Sequence, residues 1–145
     1  MKKIPDFFKI LASSKELRKE VLEEVFPRFY QIIELLEKAL PIAINQIMQD
    51  QELMGKSHFS FYIPLMKISA ETHLSMARSN MSCIKSWFEI HQLISDKETA
   101  IIESLLETAK EDITSAERTL NGLQDIYERR DIIFLPLSPG SEQAS

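Results

Sequence analysis

The sequence predicts an all-α protein: an up-and-down antiparallel helical bundle of three long, heptad-patterned helices plus two short N-terminal helices. Three stretches repeat apolar residues at alternating intervals of four and three, a spacing that keeps one side of a helix against a neighbour. The core-facing positions are Phe29, Ile33, Leu36, Leu40, Ala43, Ile47 and Met54, then Ala70, Leu74, Ala77, Met81, Ile84, Phe88 and His91, then Ile102, Leu106, Ala109, Ile113, Ala116, Leu120, Leu123 and Tyr127. Only three glycines occur in 145 residues, as expected for a nearly all-helical chain.

Two short helices are predicted first, over residues 4–11 and 15–26, with Ser13 and Ser14 between them. Each has apolar residues along one side, which is typical of a helix that packs on a larger body. Pro27 can open a helix but breaks the interior of one, so the third helix is expected to begin there.

The third helix is predicted to run to about Met54, with a kink at Pro41. Gly55 marks the next turn, and the fourth helix extends from there to about Ile94. The two long arms that follow this turn are each some 35 residues, or about 52 Å at 1.5 Å per residue.

Ser95 and Glu98 form a capping box, in which each side chain accepts a hydrogen bond from the other residue's backbone amide. This motif predicts a tight turn, so that the fourth and fifth helices form an antiparallel hairpin. The fifth helix is expected to end near Arg129 and Arg130, whose charges suit the negative end of a helix dipole.

One helical domain is predicted over residues 1–134, followed by a flexible tail over residues 135–145 with turn composition. The apolar residues Ile132–Leu137 are expected to lie against the bundle. We find no internal repeat beyond the heptad.

Composition limits the partners that we expect. The formal charge is −5 and basic residues are scattered, which argues against nucleic acid. No apolar run approaches the roughly 20 residues of a membrane-crossing helix, so no membrane partner is predicted. The single cysteine, Cys83, excludes an intrachain disulfide and suits a reducing compartment, and the predicted location is cytoplasmic.

No catalytic, metal or cofactor site is predicted, and we expect the protein not to be an enzyme. The zinc-ligand types His58, His73, Cys83 and His91 all fall on the fourth helix, where ligands to one ion need spacings of three or four. No two of them have that spacing. A globin-like haem site would need a turn between His58 and His91, and residues 65–94 contain neither glycine nor proline.

Two histidines leave alternatives open. His91 holds a core-facing position, which indicates a core histidine bonded across the turn, for instance to Glu98; the alternatives are a buried pH switch or a ligand. His73 is similar to the single exposed histidine of histidine-phosphotransfer bundles, although the lysine and glycine that those domains place just after it are missing here.

A candidate interaction surface is predicted on the fourth helix, which has a second apolar stripe that begins at Met66 and a row of serines beside its core-facing side. Its residues are Met76, Cys83, Trp87, Ile90, Ile94, Ser75, Ser79, Ser82 and Ser86. Because the short N-terminal helices cannot cover all of this stripe, part of it is expected to stay exposed and to form a twofold homodimer. The competing arrangement is a monomer in which the two chain ends fold over the stripe.

The favoured function is therefore a non-catalytic protein–protein interaction module: an adaptor, a regulatory subunit or a chaperone-like binder. The first alternative is a sensor that holds a small apolar molecule among Met54, Met66, Met76, Met81 and the aromatic residues. The second is a signalling bundle of the histidine-phosphotransfer kind.

Overall fold

The computed structural model describes residues 14–130, without the side chains of residues 14 and 15. Its elements, in chain order, are α1 (Ser14–Glu20), a π-helical turn (Val21–Val25), α2 (Phe26–Gln49), the short α3 (Gln51–Met54), α4 (Ser57–Ile90) and α5 (Asp96–Glu128). There is no strand in this part of the chain, and the three long helices pack against one another. The predicted all-α bundle is confirmed.

The core lies where the heptad pattern places it. The apolar core-facing residues from Phe29 to Leu123 are buried, apart from a half-buried Met54. Ala77 and Ala109 are fully enclosed where α4 and α5 make the most extensive contact of any helix pair. Small side chains at such positions let two helix backbones approach closely.

The sequence predicts that a new helix begins at Pro27. The structure has the π-helical turn just before this residue, so α1 continues into α2 without leaving helical geometry. The Phe26 amide donates to the carbonyl of Val21, five residues back, and both Val25 and Phe26 keep right-handed helical dihedrals. A proline inside a regular helix clashes with the carbonyl four residues before it. The wider π turn relieves this clash, which explains why the helix survives Pro27.

The predicted third helix is interrupted at Asp50, where the backbone becomes extended. The Asp50 carboxylate accepts a hydrogen bond from the Leu53 amide at 3.0 Å and so caps α3. Arg130, just after α5, pairs with the other carboxylate oxygen of Asp50 at 3.3 Å. The end of α5 is thereby joined to the corner between α2 and α3.

Helix α4 ends at Ile90, four residues earlier than predicted, and the assignment of His91 to the core is wrong. His91 has extended dihedrals and is exposed. The Arg18 guanidinium donates to the carbonyls of His91 and Gln92, and it supplies positive charge at the negative end of α4. This long-range contact, from α1, fixes the chain after α4 in a non-helical path.

The capping box at the start of α5 is confirmed. Ser95 Oγ accepts from the Glu98 amide at 3.2 Å, and Glu98 accepts from the Ser95 amide at 3.0 Å. The second Glu98 oxygen accepts from Trp87 Nε1 at 2.7 Å, in place of the predicted bond to His91. The imidazole of His91 instead lies against the Trp87 ring, with centroids 5.3 Å apart.

Three predictions lie outside the described residues: the first short helix (4–11), the packing of residues 132–137, and the tail over 135–145. Within residues 14–130, no helix combines the length and the apolar character that crossing a membrane requires.

Candidate interaction surface

The surface that we describe is the side of α4 that points away from the core. The buried residues of α4 are Ile63, Ala70, Leu74, Ala77, Met81, Ile84 and Phe88. At 100° per residue, ten of the residues from Phe61 to Ile90 lie on the opposite side of the helix. We call them the outer face of α4: Phe61, Leu65, Ile68, Thr72, Ser75, Met76, Ser79, Cys83, Ser86 and Ile90.

All ten residues of the outer face are exposed, and none is charged. Its large side chains have much of their surface in solvent: 66% for Phe61, 58% for Ile68 and 74% for Ile90. Charged residues lie instead along one border of the face, at Lys67, Glu71, Arg78, Lys85 and Glu89. A helix on a protein surface normally presents its charged residues opposite the core. Over roughly 43 Å, α4 presents an uncharged surface there.

Six of the nine residues predicted for the interaction surface lie on the outer face: Ser75, Met76, Ser79, Cys83, Ser86 and Ile90. Ser82 is exposed beside it. Trp87 and Ile94 are half-buried, because Trp87 bonds to Glu98 and Ile94 packs against the core from the connection between α4 and α5. The structure therefore separates these two residues from the exposed set.

Sequence reasoning missed the N-terminal third of this surface, formed by Phe61, Leu65 and Ile68. The signal was available in their helical phase, since Phe61 and Cys83 are 22 residues apart, or about six turns. The predicted second stripe was instead traced from Met66, which packs beside Gly122 of α5 and is half-buried. The one-residue offset between Leu65 and Met66 turned only the start of the predicted stripe, by about 100°.

Comparison with known proteins assigns no function to the chain, and no metal cluster within residues 14–130 suggests one. No protein-family model, curated protein or solved structure gives a significant match to it. Within residues 14–130, no three His, Cys, Asp or Glu side chains are grouped closely enough to hold a metal ion. What points to a function is the geometry of the outer face and of the polar contacts around it.

A histidine–aspartate pair joins α4 to α5 beside the outer face. His73 Nδ1 lies 2.8 Å from Asp112 Oδ1, and Asp112 is 6% exposed. The other carboxylate oxygen, Oδ2, is buried and has no hydrogen-bond partner among the described residues. With Nδ1 donating its proton to the carboxylate, the imidazole keeps its free lone pair on Nε2. His73 is half-buried, with about a third of its side chain exposed to solvent.

An open groove of about 320 Å³ lies between α2 and α4, on the other side of α4. Arg78 crosses it and donates from Nε to Glu37 at 3.0 Å, with a second bond from its NH2 group. This hydrogen bonding holds the pKa of Glu37 below its usual range and raises the pKa of Arg78. The Arg78 guanidinium also lies over the Tyr30 ring, 5.7 Å from its centroid. The paired charges neutralise each other, so the groove offers no free cation or carboxylate from this pair.

Proposed function

We propose that this protein is a non-catalytic interaction module, and that the outer face of α4 docks against a helix of a protein partner. The observation that carries the proposal is the exposed, uncharged strip along a surface helix whose core-facing side is already buried. A helix that is apolar on two sides gains free energy when both sides are covered.

The energetics favour a helix as the covering element. Completely burying a large apolar side chain contributes about 1.5–3 kcal/mol, and Phe61, Leu65 and Ile68 each have roughly half of that available. Ser79 and Ser86 carry little side-chain bulk, so a partner helix can approach the α4 backbone closely along that part of the face. An extended strand would find no unpaired backbone groups on a helix to bond with.

A second candidate function, phosphoryl transfer through His73, is supported by the pairing of its Nδ1 with Asp112. The free Nε2 lone pair could attack an acyl phosphate, forming an N–P bond as the acyl oxygen leaves as a carboxylate. Incubation with acetyl phosphate should then give an acid-labile phosphohistidine that His73→Gln abolishes. An unlabelled wild type would exclude this function. The sensor alternative stays a prediction, with Met81 fully buried and Met76 exposed.

Two isoleucine variants test the interaction module. Ile68 on the outer face and Ile42 on α2 are 58% and 61% exposed, so Ile68→Glu and Ile42→Glu are matched in chemistry and in exposure. Native mass spectrometry of protein from its own host should show a bound polypeptide with the wild type and with Ile42→Glu, and none with Ile68→Glu.

Two results would contradict the proposal. One is a wild type that carries no polypeptide, and the other is a complex that survives Ile68→Glu as well as it survives Ile42→Glu. A small apolar molecule retained by the wild type would favour the sensor instead.

A further inference from the structure

We infer that the helix covering the outer face belongs to a second copy of this chain, packed antiparallel through α4 around a twofold axis. This inference rests on the proposed function, since it concerns the same surface and names its partner. The observations behind it are the distribution of side-chain size along the face and the area of the face.

The outer face is unequal along its length. Its first third has the three large residues Phe61, Leu65 and Ile68, whereas the small residues Ser79, Cys83 and Ser86 lie in the second half, ahead of the large Ile90. A helix with this face has a ridge over its first third and a depression between Ser79 and Ser86, which Ile90 closes at the end. The best partner for it has the same two features in reverse order, because large side chains fill the space above small ones.

A twofold axis perpendicular to α4 and midway along the face provides that partner. The middle of the stretch from Phe61 to Ile90 falls between residues 75 and 76, so residue i of one copy meets residue 151 − i of the other. The pairs are Phe61 with Ile90, Leu65 with Ser86, Ile68 with Cys83, Thr72 with Ser79, and Ser75 with Met76. Each large residue of the first third except Phe61 meets a small one, and each pair occurs twice, as an isologous contact requires.

The parallel arrangement lacks this fit. It would set Phe61, Leu65 and Ile68 against their own copies, which holds the helices apart at one end. Ser79, Cys83 and Ser86 would then face their own copies across a gap between that end and the Ile90 pair, and gaps forfeit packing contacts. The antiparallel pairing instead sets Leu65 and Ile68 of each copy over Ser86 and Cys83 of the other.

The area of the outer face matches a reversible dimer. A strip about 43 Å long and 100° wide on a helix with a solvent-accessible diameter near 15 Å covers on the order of 550 Å². Two copies together bury about 1,100 Å², slightly above the roughly 1,000 Å² that a specific interface needs. An interface of this size favours a dimer that dissociates on dilution, with a dissociation constant of about micromolar.

Cysteine cross-linking tests the orientation directly. In a Cys83→Ser background, the double substitution Thr72→Cys and Ser79→Cys introduces two thiols per chain. In the antiparallel dimer, the thiol at position 72 of one copy faces the thiol at position 79 of the other. On one helix the two positions are seven residues, or about 10 Å, apart, too far for a disulfide within one chain. Mild oxidation should give a covalent dimer of twice 16.8 kDa.

Two controls define the expected result. Leu35→Cys with Ile42→Cys, also in Cys83→Ser, has the same spacing and similar exposure on α2, so it measures random collisions and should give far less dimer. The wild type should not cross-link, because antiparallel packing sets the two copies of Cys83 about 22 Å apart. Circular dichroism should show the same helix content for every variant, since all the substituted residues, including Cys83, are exposed.

Other outcomes overturn the inference. Rapid oxidation of wild-type Cys83 to a dimer would mean parallel packing, and equal yields from the α2 control would mean collision. A wild type that sediments as a monomer near 100 µM, where a micromolar dimer is saturated, would exclude a second copy. In that case the proposed function still holds if native mass spectrometry shows a different polypeptide that Ile68→Glu removes. If no bound polypeptide is found, the proposed function fails together with the inference.

Discussion

His73 and Asp112 join the two longest helices through one partly buried hydrogen bond, 2.8 Å between Nδ1 and Oδ1. Asp112 is the one charged residue among the buried side chains of residues 14–130. Because Asp112 is only 6% exposed, its carboxylate loses water on folding and depends on the imidazole for compensation. The pair therefore fixes the register of α4 against α5 at the cost of one buried oxygen without a partner.

Removing only the histidine should be more harmful than removing both partners. His73→Ala leaves the Asp112 carboxylate buried and unpaired, which should lower the free energy of unfolding by about 1–3 kcal/mol. His73→Leu combined with Asp112→Leu removes both polar groups and should be nearly neutral. Urea denaturation of the wild type and these variants provides the measurement. A double variant that is less stable than His73→Ala would show that the hydrogen bond itself, and not desolvation of Asp112, dominates.

The ion pair between Glu37 and Arg78 should make a small, pH-dependent contribution to stability. The pKa of Glu37 is lowered in the folded state from 4.5, chiefly by its hydrogen bond to Arg78. The contribution is therefore fully present above pH 4.5 and is lost as the pH falls through the lowered pKa. Both side chains are more than a third exposed, so we expect only about 0.2–1 kcal/mol near neutral pH.

Thermal unfolding of the wild type and Glu37→Gln at several pH values checks this contribution. The two proteins should differ at pH 7 and converge in acid. Glu89→Gln, an exposed carboxylate on the border of the outer face, serves as the control and should change little at any pH. A Glu37→Gln difference that grows in acid would have the wrong sign for this ion pair.

Most of the fold could be predicted from the sequence because the heptad positions are a local pattern that burial reproduces along three helices. Ser95 with Glu98 was equally readable, since a capping box lies within four residues. The end of α4 could not be predicted in the same way. It depends on Arg18, which donates to His91 from 73 residues away, and no local pattern encodes that contact.

The candidate surface was predicted only in part, for a related reason. Met76, Cys83 and Ile90 share one helical phase and were found. Trp87 looked equally apolar in sequence, but its indole N–H bonds to Glu98 across the turn. Whether a residue of an amphipathic stripe is covered depends on the neighbouring element, and that is set by tertiary packing.

Loss of the capping hydroxyl should destabilise the hairpin of α4 and α5. Ser95→Ala removes the acceptor of the Glu98 amide and should lower the free energy of unfolding by about 1 kcal/mol. Ser104→Ala, an exposed serine inside α5, should have no such effect, because alanine is the better helix former there. Chemical denaturation measures both. Equal stability of Ser95→Ala and the wild type would show that the carboxylate of Glu98 alone maintains the turn.

The rate at which Cys83 is alkylated in the unmodified protein tests the role of the outer face most directly. Cys83 is exposed in the single chain and lies among the small residues of that face. If the face is covered by association, alkylation should slow severalfold as the protein is concentrated from about 1 µM to about 100 µM. A cysteine placed at Ile42, with Cys83→Ser, should react at one rate throughout. A Cys83 rate that is equally independent of concentration would contradict coverage of the outer face by a second copy.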